Sequence, residues 1–330
     1  TGPYKIATQD IGTWSLLPNR DALRNPTIRT VKVREMPDKN QQVSSLGYGY
    51  IQAMVNVPPQ YLAEVERSRN ADLIPYQGKS WWYLGLNSKH PVLENIAVRS
   101  AVSKAVNVDE ALGLIGEGYR ISGPFVPSSK FYNHSETVPL VSSDAAEAGA
   151  LMRQAGYGND TGSWSKKGEP LTLRIFYRSG MGESGQTVAL NVQAQLRRFG
   201  IQASDPVAMD KAVWNEKVFA AREFDIVLDS WSFDENENIF DLFHSAGTQN
   251  FIGYKNKVVD ELLSKAMAET DPTAKVAYMK EVHRVLAQDQ PYVFLWSLRN
   301  YTALRREVES VFVQPFYYFT QFPDWRMVPS

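Results

Sequence analysis

The stretch LDSWSFDENENIFDLF at 228–243 places Trp231 three residues before Asp234, and Glu235, Glu237 and Asp241 follow. Between Glu223 and Tyr254 there are seven acidic residues and no Lys or Arg. Four chemistries fit such a set: a solvated loop, a metal site, a catalytic carboxylate pair, or a grip on a cation. The histidines His90, His134, His244 and His283 offer no i, i+4 pair and no HExxH, so no metal site is expected. Asp234 and Glu237 could form a glycosidase pair. Such pairs usually come from different strands at a defined separation, and neighbouring carboxylates in one loop are ordinarily a solvated face. The remaining reading sets a ligand ammonium on Asp234, with the Trp231 ring as apolar cover and cation–π partner. Its competitor is that Asp234 caps the helix predicted after it. On residues alone the two stand level.

A second motif, GMGESG at 180–185, matches G-x-G-x-x-G between a predicted strand and a predicted helix. Arg178 and Ser179 separate the strand from the first glycine, and Glu183 puts a carboxylate where a pyrophosphate must sit. A nucleotide is therefore not expected, nor is any other cofactor. A glycine-rich helix N-terminus can still receive an anion, and Arg178 beside it could add a bidentate carboxylate contact. A flexible loop with a helix cap explains the same residues equally well. G-x-S-x-G is absent, and the missing cysteines exclude thiol catalysis, disulfides and Cys-ligated metals. No catalytic residues are assigned and an enzyme is not expected.

These residues need elements to carry them. FDIVLDSW (224–231) has the composition of a buried strand, and in open α/β sheets ligands gather at the carboxyl ends of strands. Further strands are expected at 28–35, 50–57, 81–87, 171–177, 201–208 and 292–298. Helices are expected at 38–46 behind Asp38 as N-cap, from Pro58 and Pro59, at 94–107, at 109–118, and from Asp144 to a terminating Gly156. More follow at 184–200, 210–222, 257–269 and 272–288. Residues 119–142 read as a long connection. The strand–helix rhythm from 171 to 231 argues an α/β lobe. The chain's 330 residues, 43% hydrophobic and 22% charged, suffice for two lobes. A net charge of -1 gives no pull toward nucleic acid, and no apolar run is long enough to span a membrane. The chain begins TGPYKIATQ, without an initiator Met or a signal-peptide pattern, and is expected to be processed or truncated.

The order of segments resembles the family 5 extracellular solute-binding proteins, the peptide- and nickel-type receptors of ABC importers. TGPYKI is similar to the family's G-T-G-P-Y. YLGLNSKHPVLENIAVRSAVSKAVN resembles its Asn–Pro–Val–Arg block, through Asn87, Pro91, Val98, Arg99 and Ala101. AAEAGALMRQAGY with EPLTLRIFY, the W-x-x-D segment FDIVLDSWSFDENENIFDLF, and NFIGYKNKVVDELL follow in the family's order. Two departures stand: Gly47-Tyr-Gly-Tyr50 where the family has G-E-I-D, and Asn238 where it has proline. The resemblance implies a bilobal α/β fold, periplasmic-binding-protein-like, of type II and the large peptide-receptor subclass. Lobe I would comprise 1–87 and 300–330, and lobe II 88–299. The family's segment before G-T-G-P-Y has no counterpart, so an incomplete lobe I with exposed sheet edges and a missing signal peptide are expected. The implied function is a periplasmic or extracytoplasmic receptor that closes over peptides or a peptide-like cation and delivers them to a membrane permease. Carried over, Asp234 holds the ligand's ammonium beside Trp231. Arg178 lies near the place of a carboxylate-facing arginine, and Trp296 is a further ligand-binding candidate. The alternatives are a carbohydrate hydrolase using acids of 229–241 and the ligand-sensing domain of a regulator.

Overall fold

SWWYLGL puts apolar side chains on both sides of a pleated strand, and such a strand must be buried on both faces. In the computed structural model, which describes residues 2–78, 80–136, 138, 140–313 and 318–328, this is the case from Trp81 onward. Thr1 at the expected opening turn, and Thr137 and Pro139 in the expected connection, lie outside the described residues. The chain divides into two compact units, Thr1–Gly78 with Arg299–Ser330, and Lys79–Leu298. The Ser80–Leu86 strand, expected in lobe I, belongs to the sheet of the second unit, because its two ladder partners are there.

The second unit is built on a five-stranded mixed sheet. Its order is Val207–Met209, Ile175–Arg178, Ile226–Ser232, Ser80–Leu86, Tyr292–Phe294. The first three strands are parallel to one another; Ser80–Leu86 runs antiparallel to both of its neighbours. On one face Trp82, Leu84, Leu86, Ile226 and Leu228 pack with helices Ile96–Ala105, Ala145–Gln154 and Gly182–Phe199. On the other, Trp81, Tyr83 and Val227 pack with helices Lys257–Ala268 and Pro272–Asp289. Gly85 has its space set by Val227, whose Cγ2 would lie 2.9 Å from an added Cβ.

Local chemistry explains where the elements break. The strand expected over 171–177 splits at Arg174, whose backbone N–H donates to the Asp225 carboxylate at 2.8 Å while its guanidinium pairs with the same group. The strand expected over 201–208 splits around Pro206, which has no N–H to give. The helix expected over 210–222 is a short α-turn, Lys211–Trp214, that widens into a π-helix, Asn215–Ala220. The caps form as read: Asp38 accepts the Gln41 N–H, Asp144 accepts the Glu147 N–H, and Gly156 is left-handed at φ 86°.

The first unit has a three-stranded antiparallel sheet, Tyr4–Asp10, Thr13–Pro18 and Val31–Arg34, whose residues are mostly exposed. A second sheet sets residues 299–305 of the Trp296–Arg305 strand between Ala53–Met54 and Ala71–Gln77. Its small core comprises Val43, Leu46, Met54, Val57, Val65, Ala71 and Ala303. The strand expected over 50–57 shrinks to two residues; Asn56 turns the chain at φ 54° before the Pro59–Arg67 helix. No helix among the described residues is long and apolar enough to cross a membrane.

Candidate functional site

Alternation along Ile226–Ser232 sends Val227, Asp229 and Trp231 to one face. The antiparallel register sets Asp229 opposite Tyr83 and Trp231 opposite Trp81. The parallel neighbour ends at Arg178, whose NH1 lies 3.3 Å from the Asp229 carboxylate. Sheet pairing thus gathers an acid, a base and several rings at the carboxyl ends of two parallel strands, where ligand sites of open α/β sheets form. Trp231 stacks on Tyr83 (6.1 Å, 8°), and Tyr83 on Tyr292 (4.4 Å, 21°). Phe233 stacks on Trp81 at 5.9 Å and 17°. The Arg178 guanidinium lies 5.8 Å from the centre of the Trp214 ring.

The charges here are poised unequally. The Arg178 side chain is 39% exposed, whereas that of Asp229 is 8% exposed. Burial pushes Asp229 up to about 6, against the opposing pull of the Ser230 N–H and Arg178. The Tyr83 hydroxyl, also buried, is raised well above its ordinary value, first by burial and then by the Asp229 charge. It makes no hydrogen bond among the described residues. A buried acid with one long charge contact, beside a hydroxyl with no bond, is the arrangement that perturbs ionisation at functional sites.

The structure brings together Arg178 and Trp231 of the four ligand-binding candidates. Asp234 lies two residues beyond the strand, exposed, on a turn of its own making: its carboxylate accepts the Asn236 N–H at 3.0 Å. It caps no helix. The short Phe240–Phe243 helix is preceded by Asn238, which accepts the Phe240 N–H. Trp296 is fully buried on the opposite face of the sheet, in contact with Trp82 at 5.8 Å, and is a core residue. Glu237 separates from Asp234: it is buried, left-handed at φ 45°, and accepts the Ser129 hydroxyl at 2.6 Å. Burial raises its carboxyl above the usual range. At 180–185 a 3₁₀ turn, Ser179–Met181, leads into the helix from Gly182, and Arg178 is held by Asp229. Asp229 was hidden in the sequence by its apolar neighbours. Its signal is a charge in a buried strand, two residues and hence one face from Trp231.

The family model described as bacterial extracellular solute-binding proteins, family 5 middle, matches residues 1–251. The oligopeptide-binding protein AppA of Bacillus subtilis is 25% identical over 324 residues, covering 96% of this chain and 59% of that protein. The di/tripeptide-binding protein 2 of Pseudomonas aeruginosa is 26% identical over 289 residues, covering 84% and 52%. This chain therefore spans between half and three-fifths of the length of these curated relatives. The solved structure of Bacillus subtilis AppA in complex with a nonapeptide superposes with a TM-score of 0.76 at 24% identity, covering 99% of this chain and 66% of that one. The fold is that of the bilobal, type II periplasmic binding proteins.

Proposed function

Since the chain belongs to the family 5 bacterial extracellular solute-binding proteins, we propose that it is the ligand-capturing part of an ABC importer's receptor. It works outside the cytoplasm and hands its ligand to a membrane permease. Its substrates are peptides or a peptide-like cation, as the names of its relatives suggest. The observation that carries the reading is the wall at the strand ends: Trp231 on Tyr83, Arg178 at the rim, and Asp234 exposed on the next turn. Asp234 takes the ligand ammonium, Trp231 covers its apolar flank, and Arg178 faces its carboxylate. The hydrolase alternative finds no support in this loop, because Glu237 is buried against Ser129 while Asp234 is exposed.

Two measurements test the proposal. Denaturing mass spectrometry of the purified protein should release short peptides or one small cation. In calorimetric titration, Asp234→Ala should weaken peptide binding by about 2–5 kcal/mol, the cost of removing a charge-paired contact. Unchanged affinity in that variant overturns the role of Asp234.

A further inference from the structure

The Arg178–Asp229 pair carries a consequence for ligand charge that the receptor reading does not contain, although it rests on that reading for the identity of the ligand. Arg178 is not a vacant cation. Its NH1 contacts the Asp229 carboxylate, and the contact is long and single, 3.3 Å to one oxygen. Bidentate arginine–carboxylate pairs are shorter and bind through two parallel hydrogen bonds. Just before the same two strands begin, Arg174 holds Asp225 with its backbone N–H, Nε and Nη2 together, which shows what a committed pair looks like in this protein. The guanidinium of Arg178 is two-fifths exposed, whereas the carboxylate behind it is nearly inaccessible.

An incoming carboxylate can reach Arg178 from solvent, but it then stands beside a second negative charge that has no other cation. The titratable groups set against Asp229 are Arg178 on the adjoining parallel strand, Tyr83 opposite it on Ser80–Leu86, and Tyr292 beyond. Neither tyrosine can neutralise a carboxylate. Two like charges on one site force a proton onto one of them. The buried partner is the one that takes it, since burial already disfavours its charged form.

We propose that Asp229 is a specificity-determining residue that gates Arg178: a ligand carboxylate engages Arg178 only as Asp229 gives up its charge by taking a proton from solvent. A ligand with a neutral end in that position needs no such proton. The site then distinguishes free acids from blocked ones in a pH-dependent way, set by a residue the ligand need not touch.

The experiment compares one tripeptide as its free acid and as its C-terminal amide, by calorimetry in two buffers of different ionisation heat. The Asp229 carboxyl is followed in parallel by ¹³C NMR. Uptake of up to one proton is expected for the acid and none for the amide. Affinity for the acid should fall up to tenfold per pH unit above about pH 6. Asp229→Asn, of nearly the same shape, should abolish the uptake and flatten that profile. The Asp229 midpoint should rise by at least about two units when the acid is bound, since a smaller rise cannot carry uptake approaching one proton. If neither tripeptide binds, 0.1 M acetate serves as the probe for Arg178. A raised midpoint in acetate then keeps the gate and overturns the peptide-receptor reading alone. A midpoint unmoved by either anion, or equal proton uptake by acid and amide, overturns the gate.

Discussion

The second face of the central sheet holds two buried polar clusters, one around His283 and one around Asp229, and they are finished differently. His283 is fully buried and both ring nitrogens are used. Nδ1 accepts the Asn133 N–H at 2.9 Å, which leaves the proton on Nε2, 3.1 Å from the Ser122 hydroxyl. Ser122 continues to the Tyr132 hydroxyl at 3.1 Å. This chain of bonds fastens the 122–133 segment to the Pro272–Asp289 helix. Asp229 has the Ser230 N–H and one long charge contact, to a partner that faces solvent, and a neighbouring hydroxyl with no bond among the described residues. Both clusters are buried; what separates them is how completely their polar groups are bonded and that only the second is paired to a charge facing solvent.

The two clusters should answer acid with opposite signs. Burial holds His283 down to about 4, so the folded chain refuses a proton that the unfolded chain takes. Its contribution to stability is full above about pH 6.5 and is lost as pH falls toward about 4, by about 3 kcal/mol in all. Asp229 is raised to about 6, so its contribution is full below about pH 3.8 and is lost as pH rises through about 6, by a similar amount of about 3 kcal/mol. Between about pH 4 and 6 the two slopes oppose each other. Urea unfolding across that window should show His283→Gln losing stability, relative to wild type, toward high pH, and Asp229→Asn losing it toward low pH. Parallel slopes in the two variants would break the distinction.

A smaller effect is expected at Gly85, which bears on one cluster only. Its added Cβ would lie 2.9 Å from Val227 Cγ2 and 3.3 Å from the Tyr83 ring. Gly85→Ala should therefore cost about 1–3 kcal/mol by overpacking, and should shift the Asp229 midpoint while leaving the His283 ring signals in place. The smallest effect belongs to Asp234 in the absence of ligand. Its carboxylate is exposed and bonds only its own turn, so Asp234→Asn should change unfolding free energy by less than about 0.5 kcal/mol. A larger change would make Asp234 a structural residue and weaken its assignment to a ligand.

The sequence alone carried the local decisions. Asp38 and Asp144 cap helices because a carboxylate after an extended residue has free N–H groups to accept, whatever packs nearby. FDIVLDSW formed its strand because apolar, β-branched residues require burial on a pleated surface, and that placed Trp231 at the strand's end. The ordered motifs gave the family, since a set of spacings survives where any single one is weak. What the sequence did not contain is adjacency. Asp229 reads there as one acid among seven, and Arg178 as the edge of a glycine-rich loop. Only strand order set Tyr83 opposite Asp229 and Arg178 beside it, and only burial made that acid differ from Asp234. Trp296, read as a ligand contact, is fully buried in the core because its ring packs against Trp82 on the other face of the sheet. A side chain's type is written locally; its solvent, its partner charge and hence its chemistry are set by residues far away in the chain.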